Sequence, residues 1–449
     1  MRFSKLWVAS FLCALLISTV LPAAAAELEE QVAAEIDSLV EIYKHLHASP
    51  ELSYQEKESA ALVARELREL GFEVTEEVGD YGVEGRVAYG VVGVMRNGDG
   101  PTVMVRTDLD ALPIEEKTGL SYASRATGVS DSGGEVLVMQ ACGHDLHMTT
   151  FVGTARMLTR IKDRWRGTLV MIGQPAEERG AGARAMLDDG LFERFPKPEY
   201  ALAFHANAEM PAGKVGMVSG YALANVDSVD ITIRGRGGHG AYPHKTKDPV
   251  MLAAQVIVNL QPIVSRQVSP FDPAVVTVGS IHGGTKHNII PDEVRLQLTV
   301  RTYKPEVREQ VLASIRQVAE DTARAAGFPD ELLPVVELAE EEYTPSTYND
   351  PELTKRLAAV LTQTLGEDRV RWVEPVMAGE DFARYGIEGE IPITLMWLGA
   401  VEPARVEDYA ERGQQLPPLH SAEFTVFPEP AIRTGVTAMT AAVLDLMQP

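Results

Sequence analysis

The sequence predicts an α/β domain with a mainly parallel sheet covered by helices, interrupted by an inserted α+β unit of ferredoxin-like order. Three observations predict it. Apolar runs of strand length alternate with amphipathic helical stretches through residues 27–221. From about residue 222 to 340 the order changes to β-α-β-β-α-β. Acidic and histidine side chains also follow directly on several apolar runs, as they do where parallel strands end. A chain of 449 residues is long enough for two such domains.

The elements follow in order. Arg2 and Lys5 precede an apolar stretch from Leu6 to Leu21, then Pro22 and four alanines before Glu27. That is the layout of a secretory signal peptide over residues 1–26. The competing reading, an uncleaved anchor, fits less well because the apolar stretch is short and ends in alanines. Ser10-Phe11-Leu12 ahead of Cys13 does not suit a lipid-attachment site. Leu28, Val32, Ile36, Leu39, Tyr43 and Leu46 recur at helical spacing. A second helix is expected from about Glu56 to Leu70, with Ser53 and Glu56 spaced as a capping box and Gly71 as its stop. Val91–Met95 and Thr102–Arg106 read as strands with a turn at Asn97-Gly98. An amphipathic helix follows Asp145, and Leu169–Gly173 and Tyr200–Phe204 are further strands. In the insert, strands are expected at Val226–Ile233, Ala274–Ile281, Val294–Arg301 and Leu333–Leu338. Its helices are expected at Asp248–Val264 and from Pro305 to about Ala325.

Export to the periplasm or the medium bounds the chemistry. Loss of Arg2 and Lys5 with the signal takes the net charge from −23 to −25. So acidic a chain argues against nucleic acid or an anionic membrane as partner, and no membrane contact is expected after cleavage. Cys142 is then the single cysteine, so no internal disulfide can form.

Chemistry gathers where the apolar runs end. Thr102–Arg106 leads into Thr107-Asp108-Leu109-Asp110, Leu169–Gly173 into Gln174-Pro175-Ala176-Glu177-Glu178, and Tyr200–Phe204 into His205. Cys142-Gly143-His144-Asp145-Leu146-His147 precedes a helix. Cysteine, histidine and glutamate together suit a borderline cation such as zinc. Cys142 and His144 can share a site if Gly143 lets the backbone turn tightly. Coordination would also tie up a lone thiol in an oxidising compartment. Of the adjacent pair Glu177 and Glu178, one acid can bind metal while the other takes a proton from water. The ordinary reading of such a pair is two solvated loop acids, and the neighbouring donors weigh against it.

Eight segments in this order resemble one family. They are His47–Leu52, Arg106–Pro113, Ala141–His147, Gln174–Glu178, Gly235–His244, Asn288–Asp292, Gly379–Phe382 and Leu419–Ser421. Together they span nearly the whole mature chain. The pattern is similar to the aminoacylase–carboxypeptidase family of dinuclear metallopeptidases, in the branch of indole-acetyl-amino-acid hydrolases, hippurate hydrolases and N-acyl-amino-acid amidohydrolases. The resemblance implies two divalent ions per chain, zinc or manganese first, nickel or cobalt as alternatives. It implies metal ligands at Cys142, His144, Glu178, His205 and His420, Glu177 as general base, and Asp108 as the acid that orients a ligand. His239 resembles a histidine that polarises the scissile carbonyl, and Asn288 and Arg301 resemble residues that hold the substrate's carboxylate or oxyanion. Arg301 could equally make an internal ion pair. His47 and Glu51 read as structural.

The domains expected are a catalytic domain in two parts, 27–221 and 341–449, and an inserted lid or dimerisation domain at 222–340. The implied substrate is an N-acyl amino acid or dipeptide, and the lid can support a homo-oligomer. Two departures stand out. Arg106 occupies a position where other branches place a metal-binding histidine, and Gly379 stands where serine is frequent, beside the expected substrate pocket. Two other readings compete. One is a hydrolase with Cys142 as nucleophile and His144 as base, a poor geometry for residues two apart. The other is a non-catalytic periplasmic binding protein on the same fold.

Overall fold

A computed structural model describes the backbone of residues 6–448 and the side chains of residues 25–387 and 389–448. The expected export segment, residues 1–26, therefore lies almost wholly outside the described side chains. Among the described residues no helix is long and apolar enough to cross a membrane. The described chain divides into two compact units, Met1–Gly220 with Tyr348–Glu374 and Arg384–Pro449, and Tyr221–Thr347 with Pro375–Ala383. Residues 375–383 thus group with the insert rather than with the C-terminal part of the larger unit.

The larger unit is built on an eight-stranded sheet. Its strands lie side by side as Glu73–Thr75, Val91–Asn97, Gly167–Gln174, Thr102–Asp108, Tyr200–Pro211, Ile393–Val401, Val215–Met217 and Val370–Trp372. The four strands from Gly167–Gln174 to Ile393–Val401 are mutually parallel, and antiparallel pairs occur on either side of them. Ile393–Val401 is buried at every position, as a strand packed on both faces must be. The chain does turn after Asn97, where Gly98 has φ 81. The strands flanking that turn are not neighbours, however, because Gly167–Gln174 lies between them, antiparallel to one and parallel to the other.

Helices Leu6–Ala48, His144–Arg160 and Pro428–Leu446 pack together. The stripe Leu28, Val32, Ile36, Leu39, Tyr43 and Leu46 is buried throughout, so the periodicity seen in the sequence is the packing face. The three helices meet at Gly153, where a methyl group would stand 2.4 Å from Val436 Cγ2 and 3.0 Å from Leu39 Cδ1. That close approach fixes the helix whose first turn carries His144 and His147.

The expected capping box does not form. Glu56 is itself the residue before helix Lys57–Glu69 and makes no side-chain cap there. Glu51 does that work, its two carboxylate oxygens accepting the N–H groups of Glu58 at 3.0 Å and Ser59 at 2.7 Å. Ser53 and Glu56 are engaged elsewhere.

The second unit has a four-stranded antiparallel sheet in the order Ala274–Gly283, Glu293–Thr302, Asn225–Arg234, Val335–Leu338. Numbered along the chain this is 2-3-1-4, the ferredoxin-like arrangement. Val229, Ile231 and Ile233 alternate inward with Leu296, Leu298 and Val300, and helices Pro249–Pro262 and Pro305–Ala325 cover them with Leu252, Val256, Leu260, Val311, Ile315 and Ala319. The period of two along each strand is what places one face in the core.

Candidate metal centre

Three strands and one helix start converge on a buried cluster in the larger unit. Asp108 ends its strand, and Glu177 and Glu178 follow Gly167–Gln174 in a short 3-10 turn. His205 was expected at a strand end. It instead lies midway along Tyr200–Pro211, which runs on because it stays paired with Ile393–Val401 as far as Pro211. His205 reaches the rim because its other neighbour, Thr102–Asp108, pairs with it only up to Arg106↔Ala203.

Gly143 makes the Cys142-Gly143-His144 segment possible. It has φ 84 and ψ 23, a left-handed conformation that glycine adopts without a Cβ penalty. A Cβ there would also stand 2.8 Å from Ala206 Cβ. His420 arrives from a distant loop with φ 64, its N–H donating to the carbonyl of Ala141 at 2.8 Å, which ties it beside Cys142.

The donor atoms form adjoining groups, each within 4.8 Å: Cys142, His144 and His205; Cys142, Glu178 and His420; and His144, Glu177 and Glu178. Cys142 belongs to two of them, its Sγ 3.3 Å from His420 Nε2 and 3.6 Å from His205 Nε2. Hydrogen bonding sets the tautomers. His144 Nδ1 donates to the carbonyl of Asp110 at 2.8 Å and His205 Nδ1 to its neighbour Ala206 at 2.9 Å. Both rings therefore turn an Nε2 lone pair to the cluster, the form a metal requires. His144 Nε2 and Glu178 Oε1 are buried without a hydrogen-bond partner among the described residues, a costly state that a cation relieves. The residues present fit two adjacent divalent ions.

His147 is differently occupied. Its Nε2 accepts the N–H of Ala206 at 2.7 Å, so its Nδ1 carries the proton and donates to Asp108 Oδ1 at 2.7 Å. With both nitrogens engaged it supports the site without facing a cation. Asp108 is also paired with Arg106 at 2.7 Å, and Arg106 Nε donates to Gln174 at 3.0 Å. Burial works against the Asp108 charge, but His144, His147 and Arg106 outweigh it and hold the carboxyl well below its usual range.

The surrounding field is negative. Burial disfavours a charge on His144, yet Asp108, Asp110 and Glu178 push its pKa up to about 10. Surroundings that draw a proton onto a buried imidazole draw a cation by the same field. Burial raises Glu178 to about 8 and lowers His205 to about 3. Burial and the charge of His144 lower His420.

Asp110 and Glu56 stand close behind; from the sequence Asp110 has no role of its own and Glu56 only that of a helix cap. Asp110 Oδ2 accepts the N–H of Glu178 at 3.0 Å and the hydroxyl of Ser53 at 2.6 Å. The signal available was the alternation Asp108-Leu109-Asp110, which turns two acids to one side where a strand ends. Burial and then Asp110 raise Glu56 to about 8.

His47 lies behind the same helix start, 2.7 Å from Asp145 and 3.2 Å from Glu116, all three buried. Burial alone would lower it, but hydrogen bonds to Asp145 and Glu116 prevail and raise it from 6.5 to about 9. A folded value above the unfolded one means stabilisation complete below pH 6.5 and lost as pH rises through about 9. The Tm gap between wild type and His47→Gln is therefore expected to be widest near about pH 6 and to narrow by about pH 9.5. A gap that stays constant across that range would count against the ion-pair account.

The other expected residues belong to the second unit. His239 and Asn288 are brought together there: Gly238–His239 pairs with Ile289–Ile290, and the carbonyl of Asn288 accepts the N–H of Gly240 at 2.8 Å. Both are exposed. Arg301 is half-buried and donates through Nε to the Thr299 hydroxyl at 3.0 Å. No carboxylate among the described residues forms an ion pair with it. A methyl group on Gly379 would stand 2.3 Å from Val226 Cγ2 and 3.4 Å from an Arg301 guanidinium nitrogen, so a serine there would displace Val226 and touch Arg301.

Comparison with known proteins agrees with this geometry. Residues 104–414 match the family described as Peptidase family M20/M25/M40. The chain is 34% identical to thermostable carboxypeptidase 1 of Saccharolobus solfataricus, over 90% of this chain and 93% of the relative. It is 36% identical to hippurate hydrolase of Campylobacter jejuni, over 76% of this chain and 83% of the relative. The crystal structure of the Bacillus subtilis YXEP protein, described as a dinuclear metal-binding peptidase, superposes with a TM-score of 0.72 at 29% identity, covering 92% of this chain and 99% of that one. A buried cluster of thiol, imidazole and carboxylate donors sized for two divalent ions, on this fold, makes the protein a metal-dependent hydrolase of amide bonds. The chain belongs to Peptidase family M20/M25/M40.

Proposed function

We propose that this protein hydrolyses the amide bond of N-acyl amino acids or dipeptides, with Glu177 as general base and then general acid. Cys142, His144, Glu178, His205 and His420 would hold the two ions, zinc or manganese before nickel or cobalt; the thiolate and imidazole donors suit zinc, and the carboxylates suit manganese. When bound, the ions supply Lewis acidity to the scissile carbonyl and make water acidic enough to ionise near neutral pH. The observation that carries the reading is the place of Glu177: its Oε2 lies 3.8 Å from His144 Nε2, beside the sets that share Cys142. From there Oε2 accepts the proton of the attacking water and returns it to the departing amine nitrogen. Asp108, fixed by Arg106 and His147, keeps His144 and His147 in register.

His239 is proposed to polarise the substrate carbonyl, and Asn288 and Arg301 to bind its carboxylate. Arg301 supports this because its guanidinium is half-buried and forms no ion pair with a carboxylate among the described residues, and its fork suits a carboxylate. The names of the relatives favour small acyl-amino-acid or peptide substrates. Export is proposed from the N-terminal sequence, and the acidic charge favours neither nucleic acid nor membrane as partner. A homo-oligomer through the inserted unit is supported by its edge strand with exposed Ile281 and by exposed Val250, Met251 and Val258 on helix Pro249–Pro262. Sedimentation checks it.

The deciding experiment assays metal-replete protein against hippurate, N-acetyl amino acids and dipeptides. Release of free amino acid from at least one class is expected. Metal-loaded protein that binds these compounds and cleaves none of them would favour the binding-protein reading.

A further inference from the structure

The turn that presents Glu177 and Glu178 is built on Ala176, a non-glycine residue in the left-handed region at φ 48 and ψ 42. A Cβ in that region crowds the next carbonyl, so the conformation persists only where the surroundings impose it. Glu56 is placed to impose it. Its side chain is wholly buried, and its Oε1 accepts the N–H of Ala176 at 2.7 Å and that of Tyr54 at 2.9 Å. Two residues further on, the N–H of Glu178 is held at 3.0 Å by Asp110 Oδ2, which also accepts the Ser53 hydroxyl. Ser53 and Glu56 thus turn away from the helix they precede. Directly, and through Asp110, they grip the main chain on both sides of Glu177.

Stability alone does not account for Glu56. Its Oε2 is buried without a hydrogen-bond partner among the described residues, and burying a carboxyl group in that state is unfavourable. A costly group that holds a strained turn beside reacting side chains is the pattern of preorganisation.

We propose that Glu56 is a positioning residue: its Oε1 fixes Ala176 in the left-handed conformation and so sets the direction in which Glu177 and Glu178 leave the chain. The proposal rests on the roles assigned above to those two acids. Two conservative variants of the full chain test it, Glu56→Asp and Glu56→Gln. The first keeps the carboxyl group but withdraws the acceptor by one methylene. The second keeps an acceptor oxygen in place and cannot ionise.

The readouts are metal affinity by chelator competition, kcat and KM on the cleaved substrate, and Tm. Glu56→Asp is expected to lose about 10- to 100-fold in kcat and in metal affinity with KM little changed. Glu56→Gln is expected to stay within about threefold of wild type in all three constants, because the acceptor remains. A merely structural role would move Tm and leave the metal affinity of the folded protein alone. The proposal is overturned if Glu56→Asp matches wild type in kcat and metal affinity, or if Glu56→Gln falls as far as Glu56→Asp. Wild-type protein that binds no metal and cleaves no amide would instead sink the roles of Glu177 and Glu178, and this proposal with them.

Discussion

Glu177→Ala is expected to keep both metal ions and to lose about 10²- to 10⁴-fold in kcat, the range for removing a general acid–base group. Alanine removes the proton acceptor but leaves Cys142, His144, Glu178, His205 and His420 intact, so the donor groups that share Cys142 persist. KM should change little, because in the proposed role Glu177 acts on the water and the departing amine rather than on the substrate's carboxylate. Glu177→Gln is informative beside it: the amide keeps the size of the side chain and cannot take the proton, so it should fall as far as alanine. Metal content by elemental analysis and kcat under saturating substrate are the measurements. A Glu177→Gln variant with wild-type turnover would remove Glu177 from the reaction.

Removing the ions with a chelator should abolish turnover and lower Tm, and both should return when metal is added back. The stability effect follows from linkage. A ligand bound only by the folded state stabilises by about 4 kcal/mol when free ligand is a thousandfold above Kd. Local charge explains why the loss should be felt in the fold. Asp108, Asp110, Glu177 and Glu178 crowd round one imidazole, with His144 Nε2 at 3.7 Å from Asp108, 3.8 Å from Glu177 and 3.9 Å from Glu178. Without cations these carboxylates repel one another in a poorly hydrated space. The same experiment separates the metal enzyme from a hydrolase using Cys142 as nucleophile, which would work on after chelation. The Cys142 sulfur lies 3.6 Å from His205 Nε2 and 3.3 Å from His420 Nε2, so chelation is the experiment that decides between the two readings.

Much of the fold was legible because its patterns are local. The stripe from Leu28 to Leu46 and the β-α-β-β-α-β order of the insert depend on spacings of three, four and two residues, and the observed elements follow them closely. The Cys142–His147 segment was legible for a related reason: donors close in sequence can share a site only if the backbone turns, and Gly143 stood where the turn was needed. The Glu177-Glu178 pair was legible as two acids close behind an apolar run.

What escaped notice depends on partners far along the chain. Ser53 and Glu56 have the spacing of a helix cap, and nothing nearby says that their partners are Asp110 and Ala176, the latter 120 residues away. Ile393–Val401, a central strand, shows only a short apolar run of the kind any buried segment has. His205 looked like a strand terminus because the polar residues after it resemble a loop. Its strand continues because Ile393–Val401 offers a further row of backbone partners.

The way His144 and His205 are oriented has a consequence for genetics. The protons on their outer nitrogens are held by main-chain carbonyls, those of Asp110 and Ala206. Every amino acid supplies the same carbonyl, so no single substitution deletes either contact. A saturation scan of this gene would pass over positions 110 and 206 as far as these bonds are concerned. It would register them only through residues that shift the backbone, Gly143 foremost, since any side chain there meets Ala206. Part of the centre's chemistry is therefore encoded in the path of the chain and is invisible to a census of side chains.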